Sequence, residues 1–191
     1  MQRIGLFGGS FDPVHLGHLL VAQAAREELD LGQLVFIPAA RSPFKPESAP
    51  TPAPERLRLL RLALSGKTWC SIDEQEIRRG GVSYTIDTVR DYASRFPQAE
   101  FFYLIGTDHL PQLPKWRAAE ELARLVRFVV IPRPGQAETP FPPPFVGQFL
   151  AGFPLGVSSS QIRERVKAGL SIDHLVPCQV AEAIYNNRLY L

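Results

Sequence analysis

The chain has 191 residues, 45% of them hydrophobic and 21% charged, a length that fits one domain of roughly 100–200 residues and buries roughly 70% of its unfolded surface without disulfide or metal staples. Twenty-one basic and nineteen acidic side chains leave a formal charge of +2, too balanced for a polybasic nucleic-acid module, whose affinity rests on a clustered cationic surface. The composition also excludes a collagenous or disordered chain.

Cys70 and Cys178 lie far apart and form neither a CxxC pair nor a disulfide framework, so they read as thiols in a reducing compartment. No apolar run approaches the ~20 residues of a membrane helix. The start, Met1 to Phe7, runs into glycines without an apolar stretch of signal-peptide length. The expectation is a cytoplasmic protein with no membrane partner.

In chain order, Arg3 to Phe7 is a short apolar run ending in Gly8-Gly9, the profile of a buried strand opening into a tight loop. Leu16, Leu19, Leu20, Ala24 and Leu29 then recur at helical spacing, with Arg26, Glu27 and Glu28 on the solvated side. Leu34 to Ile37, closed by Pro38, reads as a second buried strand. Pro54 to Leu64 carries Leu57, Leu60 and Leu64 on one helical face, while Arg58 and Arg61 point elsewhere. A strand is expected over 68–72, a helix over 85–96, and central strands over 101–105 and 127–131.

This alternation predicts an α/β fold, Rossmann-like, with a mostly parallel central sheet and helices on both faces. No internal repeat or domain boundary is visible, so residues 1–191 are read as a single domain. The 18 prolines cluster in 38–54 and 132–154. Both stretches follow predicted strands, where α/β enzymes build their sites.

Chemistry concentrates in Gly8-Gly9-Ser10-Phe11-Asp12-Pro13-Val14-His15-Leu16-Gly17-His18. Glycines after a strand let phosphates approach backbone N–H groups, and the following helix directs its positive end to the same place. Asp12-Pro13 suits the start of that helix, with the carboxylate as a candidate cap. His15 and His18, three residues apart, leave one face of the first turn. The helix end disfavours imidazolium, and a bound polyphosphate would reverse that balance. Neither a P-loop nor a GxGxxG fingerprint is present here.

GSFDPVHLGH resembles the HxGH signature of the nucleotidyltransferase superfamily, whose members transfer a nucleoside monophosphate from a nucleoside triphosphate. Val157-Ser158-Ser159-Ser160-Gln161-Ile162-Arg163 resembles its second motif, ISSTxIR. Ser158 and Gln161 also fit a capping box at a helix start, with Arg163 one turn inside that helix. Local matches at Pro43 to Pro46, Ser83 to Thr88, Ile105 to Asp108, Leu113 to Trp116, Arg133 to Gly135 and Val180 to Leu191 resemble the bacterial nicotinate-nucleotide adenylyltransferase family. They run in family order along nearly the whole chain.

That resemblance implies adenylyl transfer from ATP to nicotinate mononucleotide, giving nicotinate adenine dinucleotide and pyrophosphate in NAD biosynthesis. It puts His15 and His18 on the ATP phosphates and the backbone of Gly8, Gly9, Ser10 and Phe11 around the nucleotide. Loss of either histidine should cost roughly 10²–10³ in kcat, as for other transition-state donors. Lys45 would reach the phosphates, or else be a solvated loop lysine. Ser158, Ser159 and Arg163 would hold the β- and γ-phosphates.

Gly106 and Asp108 would face the adenosine, although Asp108 could equally cap the next helix. Trp116 would stack on the pyridine ring, Tyr84 and Thr85 would meet the nicotinate carboxylate at a helix start, and Arg133 would bind the mononucleotide phosphate. Arg117 departs from the family pattern, where an aromatic residue often follows the tryptophan. No protein metal site is expected, since His109 and His174 lack ligand-spaced partners. Mg²⁺ is expected as the partner of ATP.

The rivals are sister enzymes acting on nicotinamide mononucleotide or phosphopantetheine, and a nucleotide-binding regulatory protein without turnover. A homo-oligomer stays open, because an apolar patch is not legible in a sequence.

Overall fold

The computed structural model describes residues 1–43, 50–131, 139–153 and 155–191. Six strands form one parallel sheet in the order β3-β2-β1-β4-β5-β6. They are β1 (Arg3–Gly9), β2 (Gln33–Pro38), β3 (Cys70–Ile72), β4 (Glu100–Gly106), β5 (Arg127–Ile131) and β6 (Gly147–Phe149). The helices are α1 (Leu16–Glu28), α2 (Ala53–Leu64), α3 (Gln75–Arg79), α4 (Thr85–Arg95), α5 (Ala119–Leu125), α6 (Ser159–Lys167) and α7 (Cys178–Asn186), with a 3₁₀ segment at Thr107–Lys115.

Alternation along the strands splits the core between two faces. Phe7, Leu34, Phe36, Phe102, Leu104 and Val129 point to the side packed by α1, α2, α6 and α7. Ile4, Leu6, Val35, Phe101, Tyr103 and Phe128 point to the side packed by α4, α5 and the 3₁₀ segment. Strands buried on both faces read as continuous apolar runs, which is why the central ones were legible.

Three features depart from the sequence expectation. The first strand extends through Gly8 and Gly9, which pair with Ile37 and Pro38, so the turn begins only at Ser10. Helix α1 starts at Leu16 with His15 as its N-cap. Asp12 is therefore not the cap, and its carboxylate bonds elsewhere. The short edge strand β6 and helices α3 and α5 have too few apolar positions to show a period. Among the described residues no helix is long and apolar enough to cross a membrane.

Candidate active site

The chain leaves β1 toward β2 and β3 on one side, and later places β4, β5 and β6 on the other. Such a reversal opens a crevice beyond the carboxyl ends of the two middle strands. A cleft of about 690 Å³ lies there. Gly9, His15 and His18 border it from the β1 side, Gly106 and Trp116 from the β4 side, and Arg163 from α6.

The turn after β1 is held from several directions. Gly9 carbonyl accepts from Ala39 N–H at 2.9 Å. Ser10 carbonyl accepts from Arg56 Nη1 (2.8 Å), Asp12 carbonyl from Arg163 Nη1 (2.7 Å), and Pro13 carbonyl from Ser159 Oγ (2.9 Å). Phe11 takes a positive φ of 47° and is 1% exposed. A left-handed non-glycine backbone is costly and persists only where its surroundings over-determine it. Here the ring is locked edge-on against Phe7 at 5.5 Å and against His18 at 5.0 Å.

Glycine is required at position 8 for a steric reason, because a Cβ there would overlap the Tyr103 hydroxyl. Gly17 is also confined: its Cβ would stand 3.0 Å from both His15 Nδ1 and Val157 Cγ1. The glycine between the two histidines thus lets α1 approach the segment leading into α6.

His15 and His18 stack with ring centroids 3.7 Å apart. His15 N–H donates to His18 Nδ1 at 3.2 Å, so the neutral His18 ring carries its proton on Nε2. The His18 N–H is taken by the His15 carbonyl at 3.0 Å, and His15 Nδ1, buried, has no partner among the described residues. Burial lowers the His15 pKa to about 4. His18 is lowered too, by burial and then by the charge that His15 would carry. Both rings are neutral at pH 7.

Helix α6 presents its N-terminus to the same cleft. Ser158 caps it: its Oγ accepts from Gln161 N–H at 3.2 Å, while Ser158 N–H donates to Gln161 Oε1 at 2.9 Å. This is the capping box expected from sequence. Ser159 spends its hydroxyl on Pro13 carbonyl, which ties the N-termini of α1 and α6 together. Arg163 keeps donors beyond its bonds to Asp12 carbonyl and Ser160 Oγ.

On the far side, Thr85 opens α4 and donates to the Tyr103 hydroxyl at 3.3 Å. Trp116 ends the 3₁₀ segment, edge-on to Tyr103 at 6.2 Å and to Phe128 at 5.9 Å. Asp108 stands exposed at the rim, inside the 3₁₀ segment and not at its N-cap, which is Gly106. Glu76, 4% exposed, accepts from Thr88 Oγ1 at 2.6 Å. Burial raises its pKa, and hydrogen bonds from Thr88 and Ser83 oppose that shift.

The fold therefore gathers Gly8, Gly9, Ser10, Phe11, His15, His18, Thr85, Gly106, Asp108, Trp116, Ser158, Ser159 and Arg163 around one cleft. Tyr84 is not among the lining residues; the Arg117 guanidinium covers its ring at 4.8 Å. Lys45 and Arg133 lie outside the described residues. Sequence reasoning missed Glu76, Tyr103, Arg56 and Tyr190. For Arg56 a signal existed, since it precedes Leu59, Leu60 and Ala63 at i+3, i+4 and i+7, on the buried stripe of α2.

Residues 6–165 match the cytidylyltransferase-like family model. Two bacterial relatives carry the name probable nicotinate-nucleotide adenylyltransferase. That of Opitutus terrae is 41% identical over 99% of this chain and 98% of its own. That of Bacillus licheniformis is 41% identical over 100% and 99%. The fold is shared with the Plasmodium falciparum nicotinic acid mononucleotide adenylyltransferase solved with NaAD, at a TM-score of 0.82 and 17% identity, covering 100% of this chain and 98% of that one. With full-length identity of this order to its relatives, the chain belongs to the nicotinate-nucleotide adenylyltransferase family, within the cytidylyltransferase-like group.

Proposed function

We infer that the chain transfers AMP from ATP to nicotinate mononucleotide, releasing pyrophosphate and forming nicotinate adenine dinucleotide. The observation that carries this reading is the convergence of two helix N-termini on one cleft, capped by His15 and Ser158 and accompanied by Arg163. Free N–H groups and aligned dipoles at such ends favour a polyanion.

A phosphate oxygen of the mononucleotide attacks the α-phosphorus of ATP in line. As the new O–P bond forms, the bond from that phosphorus to the bridging oxygen breaks, and pyrophosphate leaves with the electron pair. The nucleophile is already an anion, so no general base is needed. What remains for the protein is positioning and charge stabilisation. His18, with its proton held on Nε2, and His15 donate to phosphate oxygens. Arg163 grips two oxygens of the β- and γ-phosphates, beside Ser158 and Ser159.

The backbone of Gly8 to Phe11 cradles the nucleotide, with Gly106 and Asp108 on the adenosine. Thr85 meets the nicotinate carboxylate at the start of α4, Trp116 faces the pyridine, and Tyr84 acts from behind that wall. Lys45 and Arg133 supply further cations, Arg133 to the mononucleotide phosphate. Mg²⁺ bound to ATP would supply charge neutralisation at the phosphates; among the described residues no cluster of His, Cys, Asp and Glu would hold a resident ion. The reaction takes place in the cytoplasm, in one domain spanning residues 1–191.

Pyrophosphate release with Mg-ATP tests this against nicotinate mononucleotide, nicotinamide mononucleotide and phosphopantetheine. Preference for the first is expected. Preference for another acceptor overturns the substrate, and ATP binding without turnover overturns the activity.

A further inference from the structure

Asp12 stands out among the residues of the turn. Its carbonyl receives Arg163 Nη1 at 2.7 Å. Its carboxylate, in a residue only 7% exposed, is shared between Thr51 N–H on Oδ2 (3.0 Å) and the Tyr190 hydroxyl on Oδ1 (2.9 Å). Tyr190 is brought back to the turn from 178 positions away. It does not line the cleft, whereas Asp12 and Arg163 both do. Arg163 and Arg56 are the cations around this cluster, Arg56 being committed to the Ser10 and Thr51 carbonyls at 2.8 Å each.

Both carboxylate oxygens of Asp12 thus accept from neutral donors, Arg56 acts on that charge only through space, and the Arg163 guanidinium hydrogen-bonds the Asp12 carbonyl. A buried carboxylate oxygen that loses its donor seeks another, and the strongest available is a guanidinium. We propose that Tyr190 is a positioning residue: its hydroxyl holds the Asp12 carboxylate off Arg163, and so keeps that guanidinium available to the triphosphate. Tyr190 thereby sets the affinity of the cleft for ATP without lining it. This inference rests on the reading of the cleft as the ATP site.

Tyr190→Phe removes one oxygen and keeps the ring. An Asp12 oxygen freed in this way pairs with Arg163, so the KM for Mg-ATP should rise by about tenfold, as one charge-assisted contact is worth. The KM for nicotinate mononucleotide should stay within about twofold and kcat within about threefold of wild type. Adding Asp12→Asn should recover much of the lost ATP affinity, because an amide exerts no such pull on Arg163.

An ATP KM within about twofold of wild type overturns the proposal. So does a lowered melting temperature with a smaller active fraction and unchanged KM, the mark of a merely structural hydroxyl. Direct calorimetry of Mg-ATP binding to wild type and Tyr190→Phe reads the same change in affinity without turnover. A wild type that binds ATP and transfers nothing would therefore sink the proposed reaction and leave the Tyr190 test standing. If Asp12→Asn unfolds the chain, the single variant and the calorimetry still decide.

Discussion

The imidazoles of His15 and His18 lie one above the other, centroids 3.7 Å apart, with planes inclined by 26°. Two cations could not be held in that arrangement. His15 is buried and His18 half-buried, and the His18 ring is oriented by a hydrogen bond from His15 N–H to its Nδ1. Under the proposed function the pair offers donors to the triphosphate.

This pair makes stability depend on pH. The His15 pKa is lowered by burial from 6.5 to about 4, and that of His18 is lowered as well. In the unfolded chain both protonate near pH 6.5, so the unfolded state binds more protons below that pH. The stabilisation is therefore complete above pH 6.5 and is lost as the pH falls toward 4, by up to about 1.4 kcal/mol per pH unit for each ring. Melting temperatures measured from pH 7.5 to 4.5 should fall more steeply for wild type than for His15→Gln/His18→Gln. Parallel curves would show that the rings do not titrate as their burial implies.

Triphosphate binding should reverse the same balance. An anion against the stacked pair favours imidazolium, and only one ring can take the charge. Up to one proton is expected to be taken up per ATP bound near pH 6.5. Calorimetry in buffers of different ionisation enthalpy measures this directly, and a binding heat independent of buffer would refute it.

Gly8 faces the Tyr103 hydroxyl, which receives the Thr85 Oγ1 hydrogen bond. Gly8→Ala forces Tyr103 back, and Thr85 with it. We expect destabilisation by about 1–3 kcal/mol from overpacking. Because the strain falls on the α4 side, the KM for the mononucleotide should rise more than that for ATP. Steady-state kinetics with each substrate varied in turn checks the asymmetry.

Arg56 is 1% exposed and donates to the carbonyls of Ser10 and Thr51. Arg56→Met fills similar volume and leaves both acceptors without their donor. The expected loss is about 2–5 kcal/mol in urea unfolding. Arg56→Lys should recover only part of it, since an ammonium cannot reproduce the planar fork. Equal stability of wild type and the Met variant would refute the role.

Much of the fold was legible in the sequence. Four central strands read as short apolar runs, and α1, α2 and α4 as periodic ones, because a doubly covered parallel sheet writes its burial into contiguous sequence. The two helix starts that border the cleft were equally local. Helical spacing groups His15 with His18 and Ser158 with Gln161, whereas the phosphate roles of both segments come from the family resemblance. Short elements such as β6 and α5 were not legible, since so few residues cannot establish a period.

Tertiary structure alone decided what holds the site. Asp12 looked like a helix cap until Thr51 and Tyr190 took its carboxylate, and nothing local brings residue 190 to residue 12. Nothing in the local sequence gives Arg56 a role at the site; its guanidinium reaches the Ser10 turn only because α2 packs beside it. Tyr84 does not line the cleft, and the Arg117 guanidinium lies over its ring. The sequence determined which chemical groups sit at the two helix starts, because those contacts are spaced by the helix itself. Which distant groups support, neutralise or screen them depends on how the chain closes in space, and spacing along the chain carries no record of that.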